Sequence, residues 1–177
     1  LTLEEALMKR TLLNLLVLVA AFALQSSILP FIPFLSATPN LMLIFTFAYA
    51  FIYGQRDGML YGLAAGLLMD LFHSGAFGFF TLFFVWIGFL NGALSKYYYE
   101  SYITLPLLLC TINEFLYNFY IYVFRFVIRG KFDFPFYFRN IVFPEIIISL
   151  LFTLVIYRFF LWYNRKLEFL DQRRATV

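Results

Sequence analysis

The chain has 177 residues, of which 63% are hydrophobic and only 13% charged, with a formal net charge of +3. Soluble domains run near a quarter charged, so this composition excludes a water-soluble globular domain, and no segment is polar or long enough to fold as a second one. The basic residues cluster at the ends of apolar runs, so the charge reads as a membrane-orientation signal and not as affinity for nucleic acid.

Membrane helices need about 20 apolar residues, and the sequence divides into six such candidates within one transmembrane domain. The chain opens on Leu1; Met8, followed by Lys9 and Arg10, is an alternative start. The first span covers about 11–29. Gln25-Ser26-Ser27 is followed by Ile28, Leu29 and Pro30, with no small-residue cleavage site, so the run reads as a retained span and not as a signal peptide. Pro30, Pro33 and Pro39 then make a charge-free break. A short second span, about 40–53, ends at Gly54-Gln55-Arg56-Asp57-Gly58, and a short third covers about 59–72. His73-Ser74-Gly75 is a turn before the fourth span, about 77–95. An interfacial loop from Lys96 to Glu100 carries three tyrosines. The fifth span covers about 103–128, Arg129 to Arg139 is a loop rich in Phe and basic residues, and the sixth covers about 145–162. Residues 163–177 read as a short basic tail. The lone Cys110 lies inside an apolar run and has no intrachain partner for a disulfide.

Six spans place both termini on one side. Lys9 and Arg10 at one end of the chain, and Arg165, Lys166, Arg173 and Arg174 at the other, assign that side to the cytoplasm. Arg56 and Lys96 agree with this. Arg129, Lys131 and Arg139 would then face outward. Either a short span is re-entrant and inverts all later spans, or one basic outer loop is tolerated and meets a partner; the second reading is preferred.

Gly54, Gly58, Gly62 and Gly66 step by four residues, and the same spacing lands on Asp70. In water each interior glycine would cost a helix about 1 kcal/mol relative to alanine. In lipid the same glycines let two backbones touch. Steps of four on a 3.6-residue helix advance about 40° each, so Gly58, Gly62, Gly66 and Asp70 line one gently turning groove. The groove serves either packing between this chain's own spans or docking of a partner helix. Asp70 is either an interfacial carboxylate capping the following turn, or a buried one bonded to a partner or to backbone amides. Gly75, Gly78 and the pair Gly88 and Gly92 extend the packing set. In the fifth span, Asn113, Glu114, Asn118 and Arg125 interrupt an apolar run, and Glu114, Asn118 and Arg125 fall roughly on one face. An ionised Glu114 in hydrocarbon costs several kcal/mol unless paired. It faces the protein interior or a water-filled cavity, where it fixes helix register or, in a transporter, binds a polar ligand. Register is preferred, because no second ionisable group at comparable depth is evident.

Catalytic signatures are absent. There is no His/Cys cluster with metal spacing, no Gly-x-Ser-x-Gly elbow and no phosphate-binding loop. His73 is the only histidine. No catalytic, cofactor or metal site is expected.

The ordered set Pro39-Asn40-Leu41, then Gly58, Gly62 and Gly66 running into Leu67-Leu68-Met69-Asp70-Leu71, then Ser74-Gly75 with Gly78 and later Gly88, resembles the rod shape-determining MreD family over about residues 37–95. Asn40 stands where that family often has Asp. The resemblance implies a non-catalytic, multi-pass scaffold of the bacterial cytoplasmic membrane. It would bind the single-span protein MreC and act with the filament protein MreB, the glycosyltransferase RodA and a class B penicillin-binding protein in lateral wall synthesis. It also implies an all-α fold related to the six-helix S components of energy-coupling-factor vitamin transporters, which makes a substrate-binding S component the alternative function. The groove at Gly58, Gly62 and Gly66, with Asp70 fixing register, is the expected MreC surface.

Overall fold

In a computed structural model that describes residues 3–31, 38–73, 76–97, 104–130 and 133–175, the apolar runs fold as six helices. The first four are α1 (Leu3–Ser27), α2 (Leu41–Tyr53), α3 (Gln55–Phe72) and α4 (Phe79–Ala93). α5 covers Thr104–Tyr122 and continues through a π-helical turn, Val123–Val127. α6 begins at Phe134–Tyr137, passes through a second π-helical turn at Phe138–Val142 and continues over Phe143–Ala175. No strand occurs among the described residues. Three stretches are long and apolar enough to cross a bilayer: Met8–Phe31, Thr104–Val127 and Phe134–Phe159. The chain is a membrane protein.

α2 and α4 are apolar but have only 13 and 15 residues. At about 1.5 Å rise per residue, α2 is roughly 20 Å long and falls short of a hydrocarbon layer of about 30 Å. It has no need to span that layer alone, because it is the centre of the molecule. Every residue from Leu41 to Phe51 is buried, which is where a helix apolar on all sides belongs. α3 and α4 pack on it, and α1, α5 and α6 touch it from outside. α1 meets this centre along one stripe, Asn14, Leu18, Ala21 and Phe22, and exposes Leu12, Leu16 and Val19.

Several boundaries differ from those read in the sequence. The expected break from Gly54 to Gly58 shrinks to Gly54 alone. Only this residue has a positive φ, +94°, and Gln55 already starts α3 with Asp57 in its first turn, where a carboxylate complements the helix dipole. The expected 129–139 loop is helical from Phe134, because Pro135 sits in the first turn, where its missing N–H is harmless. The expected tail from 163 continues α6 as helix to Ala175.

Candidate functional site

Two seams between antiparallel helices hold almost all of the singled-out residues. In the first, α3 lies on α4 so closely that no side chain fits between them. A Cβ at Gly58 would stand 2.7 Å from the Gly88 carbonyl oxygen, and one at Gly62 would stand 2.8 Å from the Phe84 carbonyl carbon. A Cβ at Gly66 would stand 2.8 Å from the Thr81 nitrogen, and one at Gly92 would stand 2.7 Å from the Gln55 nitrogen. Gly88 meets the backbone of Gly58 in return. The contacts step by four residues along both helices in opposite directions. The expectation of a groove open to a foreign helix is thereby corrected: α4 fills it.

Asp70 closes this seam. It is buried, and Oδ2 accepts hydrogen bonds from Gly78 N at 3.0 Å, Thr81 N at 3.0 Å and Thr81 Oγ1 at 2.5 Å. Oδ1 accepts from Phe80 N at 2.9 Å. A carboxylate from the last turn of α3 therefore caps the first turn of α4, satisfying donors that a helix start leaves open and meeting the positive end of its dipole. Gly78 has φ +93° and a left-handed conformation as the N-cap residue, which explains its identity. Ser74 and Gly75 lie outside the described residues.

Asn40 caps α2 in a similar way. Its Oδ1 accepts from Leu43 N at 3.2 Å, while Gln25 Oε1 of α1 accepts from Met42 N at 3.0 Å and Ser149 Oγ of α6 accepts from Asn40 N at 3.4 Å. The short central helix thus starts inside the protein with its end groups bonded to both neighbours.

The second seam joins α5 to α6 through polar side chains at the same four-residue interval. Thr153 Oγ1 bonds Cys110 Sγ at 3.1 Å. One turn along, Glu114 faces Ser149, and one turn further Asn118 faces Glu145. Tyr137 Oη donates to Asn118 Oδ1 at 3.4 Å. Asn113, on the adjoining face of α5, makes a reciprocal amide pair with Asn91 of α4, both bonds at 2.9 Å. Asn113, Glu114 and Asn118 are therefore buried, but Arg125 is not among them. It is exposed in the π-helical turn, which takes more residues per turn than an α-helix and rotates its residues off the shared face. Its guanidinium carbon stands 5.9 Å from the centre of the Phe80 ring. The expected absence of a second ionisable group beside Glu114 is also corrected: Glu145 supplies one from α6.

Asn14 does not stand out in the sequence. It is buried in α1, where its side-chain Nδ2 donates to Tyr61 Oη at 3.0 Å and its main-chain carbonyl oxygen accepts from Tyr49 Oη at 3.3 Å, tying α1 to α3 and α2. Glu145, Ser149 and Thr153 also escape the sequence reading. Their four-residue spacing in an apolar run, matching Cys110, Glu114 and Asn118, is the signal that would have found them. Among the described residues, no group of three or more His, Cys, Asp and Glu comes together as a metal site.

Comparison with known proteins gives one family and little else. No curated protein and no solved structure matches the chain significantly. The family model described as rod shape-determining protein MreD matches residues 7–167, nearly the whole chain including both seams, and the chain belongs to that family.

Proposed function

We propose that this chain is a non-catalytic scaffold of the rod elongation complex. It binds MreC within the membrane and helps to regulate lateral peptidoglycan synthesis alongside MreB, RodA and a class B penicillin-binding protein. The supporting observation is that the buried polar groups of the family-matched region hold the protein's own helices together. Asp70 is committed to four hydrogen bonds at the start of α4, and Asn113 to a paired amide.

The chain sits in the bacterial cytoplasmic membrane with both termini inside. Lys9, Arg10, Arg56 and Lys96 gather at the end of the bundle where α1 begins and α2 ends, a reading supported by the Arg10 guanidinium 4.5 Å from the Tyr53 ring. Arg125, Arg129 and Arg139 lie toward the opposite end. Cysteine labelling near Arg129 from the cytoplasm only would overturn this orientation.

With α4 in the glycine groove, MreC docks on a lipid-facing surface. Photo-crosslinkers at the exposed positions Leu12, Leu60, Leu82, Leu108 and Val155 sample five helices. An MreC adduct concentrated on one or two of them is the expected result. Absence of any adduct with co-expressed MreC, together with a vitamin retained through purification, would favour the S-component reading.

A further inference from the structure

Glu114 is the most conspicuous side chain that the scaffold role does not use. It is fully buried. Ser149 offers its hydroxyl to the carboxyl, yet neither Oε1 nor Oε2 makes a hydrogen bond of good geometry. Buried polar groups are nearly always satisfied, and an isolated carboxylate in a low-dielectric interior costs several kcal/mol. A second carboxyl, the half-buried Glu145, lies one turn from Ser149 on the α6 stripe that meets α5 in the register set by the Thr153–Cys110 bond. Among the described residues no ion pair reaches either of them. Asn40 Nδ2, on the other side of Ser149, is also buried without a partner.

Among the described residues the surroundings supply oxygen atoms and no buried cation. The titratable and charged groups around the pair are Cys110 and Tyr117 of α5, Tyr137 of α6 and, beyond the two tyrosines, Arg125. Of these only Arg125 is cationic, and it is exposed. α2 contributes Asn40 and no titratable group. Two like charges about one helical turn apart across such a seam are stable only if a positive charge joins them. Two carboxyls and nearby hydroxyls are hard oxygen ligands. Calcium would ask for six to eight oxygens, typically with more carboxylates.

We propose that the α5–α6 seam binds one monovalent cation, a proton or Na+, between Glu114 and Glu145, and that the bound charge holds the two helices in register. The test reads the protein's own stability and does not involve MreC.

The test uses the full-length protein purified in detergent. Its thermal unfolding midpoint is followed by fluorescence-detected gel filtration while NaCl replaces choline chloride at constant ionic strength, and again as pH is varied in choline chloride. The same titrations are run on Glu114→Gln and Glu145→Gln. A saturable rise of several degrees with Na+ in the wild type, absent from either variant, identifies a sodium site. A rise on acidification without any sodium effect, lost in either variant, identifies a shared proton. In that case a protonated-carboxyl infrared band present in the wild type at neutral pH is lost in both variants. Wild-type midpoints flat in Na+, together with a pH profile and infrared spectrum that neither substitution changes, would overturn the proposal. Should Glu114→Gln fail to fold, Glu145→Gln and the wild-type sodium and infrared readings still decide it.

Discussion

Where α3 meets α4, at least one glycine stands at each close contact, spaced about every fourth residue; along α5 and α6 the same interval carries Cys110, Glu114 and Asn118 against Thr153, Ser149 and Glu145. Both pairs are antiparallel, and both arise from helix geometry, which brings residues four apart onto one stripe. The residues that fill the stripe differ. In the first seam backbone meets backbone, and attraction comes from dense van der Waals contact without any side chain to adjust. In the second, side chains span the gap, so the helices stand further apart and the fit depends on hydrogen bonds and charge. The first seam therefore tolerates no added atom, while the second tolerates changes of size but is sensitive to polarity and protonation. A glycine stripe records closeness, and a polar stripe records where a membrane protein holds groups that lipid cannot solvate.

The sharpest test of that difference is Gly62→Leu. Its side chain would enter the backbone of Phe84 and Val85, and the loss of stability is expected to exceed about 4 kcal/mol, seen as loss of a monodisperse peak in gel filtration. A folded Gly62→Leu protein that merely releases MreC would restore the docking groove and break the comparison. Next in size is Asp70→Asn. The amide keeps one acceptor for Phe80 N but presents donors to Gly78 N and Thr81 N. A destabilisation of about 2–4 kcal/mol is expected, measured as a lower thermal midpoint, and an unchanged midpoint would show that the cap is dispensable. In the polar network, a double-mutant cycle on Asn91→Ala and Asn113→Ala should return a coupling of about 0.6–1.7 kcal/mol, the range found for hydrogen bonds between membrane helices. A value near zero would reduce the pair to packing. The smallest effect is expected from Gly130→Ala. Beyond its chain neighbours, no atom of the described residues lies within 4 Å of the added methyl, but φ is +72°, so the change costs about 1 kcal/mol of backbone strain. Its comparison with Gly62→Leu separates the conformational role of glycine from the steric one.

Much of the first seam was legible in the sequence. The four-residue ladder from Gly54 to Gly66 and on to Asp70 marks a close-packed helix face ending in a carboxylate, and Gly88 and Gly92 mark the facing one. Whether that face was free or filled was not legible, since an own helix and a foreign helix ask for the same small residues. The second seam was half legible. Glu114 and Asn118 stand out within an apolar run, whereas Glu145 beside Pro144 reads as the polar edge of a span. Helix α6 in fact starts eleven residues earlier, at Phe134, which carries Glu145 inward to face Asn118. Arg125 was misplaced because periodicity assumes an unbroken α-helix, and a π-helical turn intervenes.

Composition and periodicity alone settle that this is a helical membrane protein and which helix faces are too small or too polar to face lipid. Those properties are set residue by residue, through transfer free energy and helix periodicity. Which faces meet is set by packing among the helices. It put α4 into the glycine groove, the carboxylate of Asp70 on the first turn of α4, and Glu145 beside Glu114. Each is a contact between residues distant in the chain, chosen by the joint packing of several helices around α2, and no local pattern specifies it.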